Sequence, residues 1–202
     1  MLEIYLVRHG EEEKVKNNNI EYQTDNSNLT ENGIKQVMKL TLKLKNFKID
    51  KIYSSNLKGT LQTAEIISNE IGIKINVDER IRERNMGDFE KFGDNWRSEF
   101  RKLKEKKLAE GVPLKNIKPP NGESLHEFRE RIKSFMEDLS KMNGIILIIA
   151  HKGSNTAMIN FVEDWNTKEF KSVEQNYTCM NRLVFENNKW KILEINNISH
   201  LK

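Results

Sequence analysis

Apolar residues along the chain form short continuous runs that are separated by longer amphipathic segments. Six of the runs are typical of β-strands, at residues 2–7, 50–53, 73–77, 144–150, 178–185 and 189–196. The last two flank Asn187-Asn188, a pair that favours a tight turn. We therefore predict six strands, of which the last two form a hairpin.

The amphipathic segments between these runs repeat their apolar residues every three or four positions, which predicts helices. Thr30 is a suitable cap for the first of them, and Ser124 with Glu127 forms a capping box for the last. We expect the last helix to end at Gly144. The predicted helices cover about 30–44, 56–71, 96–110 and 124–143. Alternating strands and helices predict an α/β fold, a three-layer αβα sandwich with a mostly parallel central sheet.

Two polar segments interrupt this alternation. Residues 11–28 are rich in asparagine, and residues 111–122 hold all three prolines, so that segment cannot be the interior of a helix. We expect both to be loops at the rim of a site and not linkers between domains. The sequence has no internal repeat, and 202 residues suit one domain, which we assign to 1–202.

Charge and composition restrict the class of protein. Charged residues make up 32% of the chain and apolar residues 37%, which is typical of a globular protein with a heavily charged surface. The net charge is +4, but lysines alternate with glutamates along the predicted helices, so we expect a solvated surface and no nucleic-acid partner. The mild positive charge would help to attract phosphorylated small molecules.

The cysteine content and the length of the apolar stretches restrict the cellular location that we expect. Cys179 is the only cysteine, which excludes an intramolecular disulfide and a cysteine-based metal cluster. No apolar stretch approaches the ~18–20 residues of a membrane helix, and the N-terminus lacks a basic region followed by an apolar core. We expect a cytoplasmic protein with no membrane partner, and its oligomeric state stays open.

Candidate chemistry is concentrated where two apolar runs end. The first run ends on Arg8-His9-Gly10, and the run at 144–150 is followed by His151. In an α/β sheet, ligands bind beyond the carboxyl ends of the strands, so both histidines should lie in one site. The arginine suits an anionic substrate such as a phosphate, and a neutral imidazole can attack phosphorus. Metal ligation is the weaker interpretation, because no partner lies near His9 at ligand spacing.

The other two histidines have simpler interpretations. His126 falls off the apolar face of its helix, and we expect it to be solvated. His200 is third from the C-terminus, where we expect a frayed end.

Several motifs in order resemble the histidine phosphatase superfamily, which includes the cofactor-dependent phosphoglycerate mutases. Arg8-His9-Gly10 is similar to the opening signature of that family. Five further segments resemble its later landmarks, in the family order: LTENGIKQ (29–36), IYSSNLKGTLQTAEII (52–67), RIRERNMGDFE (80–90), NGESLHEFRERI (121–132) and IIAHKG (148–153).

This resemblance implies a role for each matched residue. His9 would be the nucleophile that forms a phosphohistidine, and Arg8 would hold the phosphoryl oxygens. His151 would donate to those oxygens as charge builds up on them. Glu83 would be the general acid for the leaving alcohol and then the base for water, which fits a carboxyl whose pKa is raised by a neighbouring phosphate. No metal or other cofactor is implied.

The chain departs from the family pattern at three positions, one of which is Lys152, where the family often has glycine. Gly59 stands where a second phosphate-binding arginine is expected, which should weaken phosphate binding by ~1.5–3 kcal/mol. Lys58, Arg84 or Lys152 could compensate as substrate-binding cations. Glu12 replaces a common threonine and adds negative charge near a site for anions.

Three hypotheses follow from these patterns. The leading one is a metal-independent phosphomonoesterase that hydrolyses a small phosphorylated metabolite through a phosphohistidine on His9. The alternatives are a cofactor-dependent phosphoglycerate mutase and, because of Gly59, a weakly active or non-catalytic protein that binds a phosphorylated ligand. The tryptophan-asparagine motif of the mutases is absent after Arg8-His9-Gly10, which favours the phosphatase.

Overall fold

The computed structural model describes residues 1–13, 15–17, 20–22, 27–163 and 171–202. Its strands are β1 (Leu2–Arg8), β2 (Val15–Asn17), β3 (Ile20–Tyr22), β4 (Lys51–Ser54), β5 (Ile75–Val77), β6 (Gly144–Ala150), β7 (Met180–Glu186) and β8 (Lys189–Asn197). Its α-helices are α1 (Glu31–Leu44), α2 (Lys58–Ile71), α3 (Trp96–Ala109), α4 (Leu125–Leu139) and α5 (Lys152–Val162). Short 3-10 helices cover Glu79–Ile81, Gly87–Asn95, Leu114–Asn116 and Ser199–Leu201.

Six of these strands form the central sheet, in the order β5-β4-β6-β1-β7-β8. The first four run parallel to one another, β7 is antiparallel to β1, and β8 is antiparallel to β7. Strands β1 and β6 lie side by side in the centre and are in register along their whole length, from Leu2 opposite Gly144 to Arg8 opposite Ala150. The prediction of a mostly parallel sheet is confirmed.

Apolar clusters cover both faces of this sheet. On one face, helices α4 and α5 pack against residues that include Ile4, Leu6 and Ile148. On the other face, helices α1 and α2 pack against residues that include Val7 and Ile149. Because successive side chains of a strand point to opposite faces, a strand covered on both sides is apolar throughout. This explains the continuous apolar runs in the sequence and confirms the three-layer sandwich.

Local signals in the sequence mark the ends of the elements as predicted. Thr30 caps α1, and the Ser124–Glu127 capping box is present at the start of α4. Gly72 ends α2 in the left-handed region at φ 73°. The predicted hairpin of β7 and β8 is present, and the two asparagines at 187–188 both have positive φ, which is typical of a type I′ turn.

The structure corrects three predictions about the elements. Helix α4 ends at Leu139 and not at Gly144, which instead opens β6 with φ 96°. Helix α5 was not predicted at all. The polar segment 11–28 is not entirely loop, because β2 and β3 pair there as a separate two-stranded sheet. Residues 14, 18–19 and 23–26 of that segment lie outside the described part of the chain.

No helix within the described ranges has the length and apolar character to span a bilayer.

Candidate active site

Three neighbouring strands end at one edge of the sheet, and each is followed by a buried polar residue. His9 follows β1, His151 follows β6 and Ser55 follows β4. The backbone N–H of His9 donates to the carbonyl of Ala150 at 3.1 Å, and that of Ser55 donates to the carbonyl of Ile149 at 3.2 Å. The ring centroids of the two histidines are 5.1 Å apart. The predicted convergence of His9 and His151 is therefore present.

The His9 ring is held on its Nδ1 side. Nδ1 lies 2.8 Å from the carbonyl oxygen of Gly10 and 3.4 Å from Glu12 Oε1. Burial, and then the charge of Arg8, lower the pKa of His9 to about 3, so the ring is neutral near pH 7. Both neighbours of Nδ1 are oxygen acceptors, so Nδ1 carries the hydrogen and Nε2 carries the lone pair.

Gly10 allows this turn to pack closely. A Cβ at position 10 would approach the carbonyl oxygen of Gly33 and the side chain of Val37 to 2.9 Å. The backbone N–H of Gly10 donates to Thr63 Oγ1 at 3.1 Å. The turn after β1 is thus fixed against α1 and α2.

His151 is fixed by a hydroxyl pair. Its Nε2 lies 2.8 Å from Ser55 Oγ, which lies 2.9 Å from Thr60 Oγ1. Burial, followed by the proximity of His9 and Arg8, holds the pKa of His151 well below its usual range. A hydroxyl can donate or accept, so Ser55 can adapt to either tautomer of the ring.

Arg8 lies under an aromatic ring at the site. Its guanidinium carbon is 3.9 Å from the ring centroid of Tyr177. The rings of Tyr177 and His9 are arranged edge to face, with their centroids 5.8 Å apart. Nη1 of Arg8 donates to the carbonyl of Gln175 at 2.8 Å. Its Nε is buried and has no hydrogen-bond partner within the described residues. A buried N–H donor without a partner is costly unless a ligand oxygen meets it.

Glu83 binds the amino end of α5. Its Oε2 accepts from the backbone N–H of Gly153 at 2.7 Å, and its Oε1 accepts from the backbone N–H of Arg84 at 2.9 Å. A Cβ at position 153 would overlap Oε1 of Glu83. Since α5 begins directly after His151, this contact ties the carboxyl of Glu83 to the histidine edge of the sheet.

Arg131 of α4 supports the segment that carries Glu83. Its guanidinium donates to the carbonyls of Arg80, Arg82 and Glu83 at 2.6, 2.9 and 3.0 Å. It also forms a two-pronged ion pair with Glu123, at 2.6 and 3.0 Å. One side chain thus holds several carbonyls of residues 80–83.

Of the three cations that could compensate for Gly59, two are exposed at the starts of helices and one contacts the protein. Lys58 and Lys152 are exposed first residues of α2 and α5, the helices that start next to Ser55 and His151. Arg84 instead contacts the protein, where Nε and Nη2 donate to the carbonyl of Glu123 and the guanidinium lies 5.3 Å from the ring of Phe100. Their binding of substrate remains a prediction.

The space beside Gly59 is occupied by Glu12. A Cβ at position 59 would overlap Oε1 of Glu12, and the side chain of Glu12 is only 9% exposed. Gly59 and Glu12, two of the three departures from the family pattern, therefore lie in direct contact.

Sequence reasoning missed Ser55, Tyr177 and Arg131. Ser55 carried a usable signal, because it follows a strand as His9 and His151 do. Arg131 lies in the segment 121–132 that resembles a family landmark, but nothing in that segment distinguishes it from its charged neighbours, and Tyr177 lies outside every matched segment. Among the described residues, no group of three histidine, cysteine or carboxylate side chains could hold a metal ion, and metal independence stays a prediction.

Comparison with known proteins identifies the family of this chain. The profile of the histidine phosphatase superfamily (branch 1) matches residues 4–198. The "Putative phosphoserine phosphatase 2" of Hydrogenobacter thermophilus is 29% identical and aligns over 100% of this chain and 98% of its own length. The "Probable phosphoglycerate mutase GpmB" of Escherichia coli is 38% identical over 137 residues, which cover 68% of this chain and 62% of that protein.

Solved structures agree on the fold. The phosphoserine phosphatase of Entamoeba histolytica, in complex with 3-phosphoglyceric acid, superposes with a TM-score of 0.78 over 100% of both chains at 23% identity. The mycobacterial glucosyl-3-phosphoglycerate phosphatase, in complex with inorganic phosphate, gives a TM-score of 0.77 over 99% of both chains at 18% identity. The profile match over nearly the whole chain, together with this fold, shows that the protein belongs to the histidine phosphatase superfamily.

Proposed function

We propose that this protein is a phosphomonoesterase that hydrolyses a small phosphorylated metabolite through a phosphohistidine on His9. One observation carries the proposal, namely the fixed state of the His9 ring. Nδ1 donates to the carbonyl of Gly10, and the pKa is lowered to about 3, so the ring presents the lone pair of Nε2 over the whole neutral range. A neutral imidazole with a fixed lone pair is an activated nucleophile.

The first step transfers the phosphoryl group to His9. Nε2 attacks phosphorus, the bond from phosphorus to the ester oxygen breaks, and Glu83 gives its proton to the leaving alcohol. Arg8 neutralises charge on the phosphoryl oxygens, and its unpartnered Nε supports that role. His151 lies beside His9 and donates to the same oxygens.

The second step returns the enzyme to its first state. Glu83, now ionised, takes a proton from water, and the water oxygen attacks phosphorus. The bond between Nε2 and phosphorus breaks and releases inorganic phosphate. Glu83 suits both steps because two backbone N–H groups fix its carboxyl beside the start of α5.

Two observations bear on the alternatives. The 38% identity with the protein named as a phosphoglycerate mutase keeps that activity as the second candidate. A non-catalytic ligand-binding protein is disfavoured, because it would not need a carboxyl fixed at the start of α5, the helix that follows His151. The relatives with phosphoserine and 3-phosphoglyceric acid in their names make these two compounds the first substrates to test.

The test measures hydrolysis of p-nitrophenyl phosphate between pH 5 and 8 with EDTA present. We expect turnover in the native chain and at least ~1,000-fold less in His9→Ala, because no other group replaces the nucleophile. Enzyme quenched in alkali should carry a phosphoryl group on His9 that is stable in base and lost in acid, seen by mass spectrometry. His126→Ala is the matched control, since His126 is exposed on α4.

The same assay separates the hypotheses. Transfer between 3-phosphoglycerate and 2-phosphoglycerate that outpaces release of inorganic phosphate would instead favour the mutase. Binding of phosphate esters without turnover or phosphohistidine would favour the non-catalytic protein. Turnover that persists in His9→Ala, or stops with EDTA, would contradict the proposed mechanism.

A further inference from the structure

Glu12 lies at the amino end of α2, in space that exists only because residue 59 is glycine. Its Oε1 overlaps the position that a Cβ of Gly59 would take, and Gly59 is the second residue of α2. The residue before the helix, Leu57, provides no side-chain cap, so a carboxylate here is favoured by the partial positive charge of the helix end. Helix α2 thus begins beside a buried carboxyl group.

The backbone around Glu12 is fixed as well. Glu12 pairs with Leu29 in an isolated β-bridge, and the backbone N–H of Glu13 donates to the carbonyl of Asn28 at 2.8 Å. The side chain of the neighbouring Glu11 accepts from Oγ1 of Thr30, the cap of α1, at 2.9 Å. The position of the Glu12 side chain is therefore set by the fold.

The carboxylate of Glu12 faces the back of the nucleophile. Oε1 lies 3.4 Å from His9 Nδ1, and both side chains are at least nine-tenths buried. The attacking atom is Nε2, on the other side of the ring. Glu12 therefore contacts the reacting histidine on the side away from the phosphoryl group.

We propose that Glu12 is a positioning residue that stabilises the positive charge on the His9 ring when its Nε2 is phosphorylated. The inference rests on the proposed phosphohistidine function. When Nε2 bonds to phosphorus, Nδ1 keeps its hydrogen, and the ring becomes cationic at a site where burial disfavours charge. When water releases the phosphate, the Nε2 lone pair returns and the ring is neutral again.

Gly59 is the other half of this arrangement. The family resemblance implies an arginine at position 59, and the structure shows that the space beside Gly59 is filled by the carboxylate of Glu12, whose charge is opposite to that of arginine. Gly59→Arg alone would collide with Glu12 and place an ion pair beside His9. We expect it not to gain activity unless it is combined with Glu12→Thr.

The first test is spectroscopic and needs no turnover. In protein labelled with nitrogen-15 at histidine, the Nδ1–H resonance of His9 is identified by its loss in His9→Ala. We expect a clear chemical-shift change of this proton in Glu12→Gln and in Gly59→Ala, whose methyl group displaces the carboxylate. Glu13→Gln, an exposed neighbouring carboxylate, is the control and should leave the resonance unchanged. An unchanged resonance in Glu12→Gln would overturn the contact itself, whatever the protein catalyses.

The second test measures the rate at which phosphohistidine forms in a single turnover. A charge at this distance favours a cation by about tenfold or more, so Glu12→Gln should slow the step by at least that factor without raising KM. The loss should be equal for p-nitrophenyl phosphate, 3-phosphoglycerate and phosphoserine, because Glu12 acts on His9. A loss confined to phosphoserine would show that Glu12 binds the ammonium group of a substrate, and a faster step would show that it only repels phosphate. Either result would overturn the proposal.

Discussion

At the scale of single residues, two glycines determine where carboxylates can lie in this site. Gly59 leaves space for Glu12 beside His9, and Gly153 leaves space for Glu83 at the start of α5. In both cases a β-carbon would overlap a carboxylate oxygen. Each carboxylate can therefore take its observed position only because the neighbouring residue is glycine.

Gly153→Ala tests this for Glu83. The methyl group should displace the carboxyl and lower kcat about 10- to 100-fold for alkyl phosphates, the range expected when a general acid is misplaced. The loss should be much smaller for p-nitrophenyl phosphate, because p-nitrophenolate leaves without a proton. Alanine favours a helix over glycine by ~1 kcal/mol, which offsets the lost hydrogen bond between Glu83 and the backbone of α5, so the change in thermal stability should be small. Equal losses for both kinds of substrate would mean that Glu83 is not the acid.

At the scale of elements, α4 acts on the site through one side chain. Arg131 reaches from this helix to the carbonyls of residues 80–83 and to Glu123, and so fixes the segment that precedes Glu83. Lysine could not replace this function, since its ammonium lacks the planar fork of donors.

Arg131→Lys should therefore affect both stability and activity. We expect the free energy of unfolding to fall by ~2 kcal/mol and kcat for alkyl phosphates to fall at least ~10-fold, as carbonyls and Glu123 lose charged donors. Urea unfolding and steady-state kinetics measure the two effects. Arg182→Lys is the matched control, because that arginine also pairs with a glutamate, Glu3, but does so on β7. A comparable loss of kcat in the control would contradict a specific role for Arg131.

At the scale of the whole molecule, the C-terminal residues support the turn that carries Arg8 and His9. His200 Nε2 lies 3.0 Å from Thr178 Oγ1, and the backbone N–H of Thr178 donates to the carbonyls of Arg8 and His9. Lys39 of α1 donates to the carbonyl of Leu201 at 3.2 Å. The expectation of a frayed end at His200 was wrong, because the last residues form a 3-10 helix against α1.

Burial of histidines makes the stability of the molecule dependent on pH. The pKa of His9 is lowered to about 3 and that of His200 to about 4, in each case chiefly by burial, and His151 is lowered as well. The unfolded chain takes up protons below about pH 6.5 while the folded chain does not. The stabilisation is therefore complete above that pH and is lost as the pH falls toward 4 and then 3.

The free energy of unfolding should consequently fall between pH 6.5 and 5, with each buried histidine approaching ~1.4 kcal/mol per pH unit. Urea titrations across this range measure the slope. His200→Gln should remove about one histidine's share of it, whereas His126→Gln, at an exposed position, should leave it unchanged. A flat profile in the native chain would contradict the burial of neutral histidines.

Much of the fold and part of the site could be predicted from the sequence because they depend on local patterns. Continuous apolar runs identified the strands of the central sheet, and the capping residues located α1 and α4. Helix α5 was not predicted because its buried residues, 154–160, include the polar side chains of Ser154, Asn155, Thr156 and Asn160, so no apolar stripe marks its buried face in the sequence. The predicted length of helix α4 was too great because a glycine often follows the end of a helix, whereas Gly144 is the first residue of β6.

By itself, the sequence determined the α/β sandwich and the proximity of His9 and His151. The ends of the strands can be located from local hydrophobicity, and the alternation of strands with helices predicts that the strands are parallel. The tertiary structure decided everything that depends on contacts between distant residues. Ser55 holds His151 across 96 positions, and Arg131 holds the Glu83 carbonyl across 48. It also decided that Glu12 fills the space beside Gly59, because the sequence does not show which side chain packs into the space that a glycine leaves open.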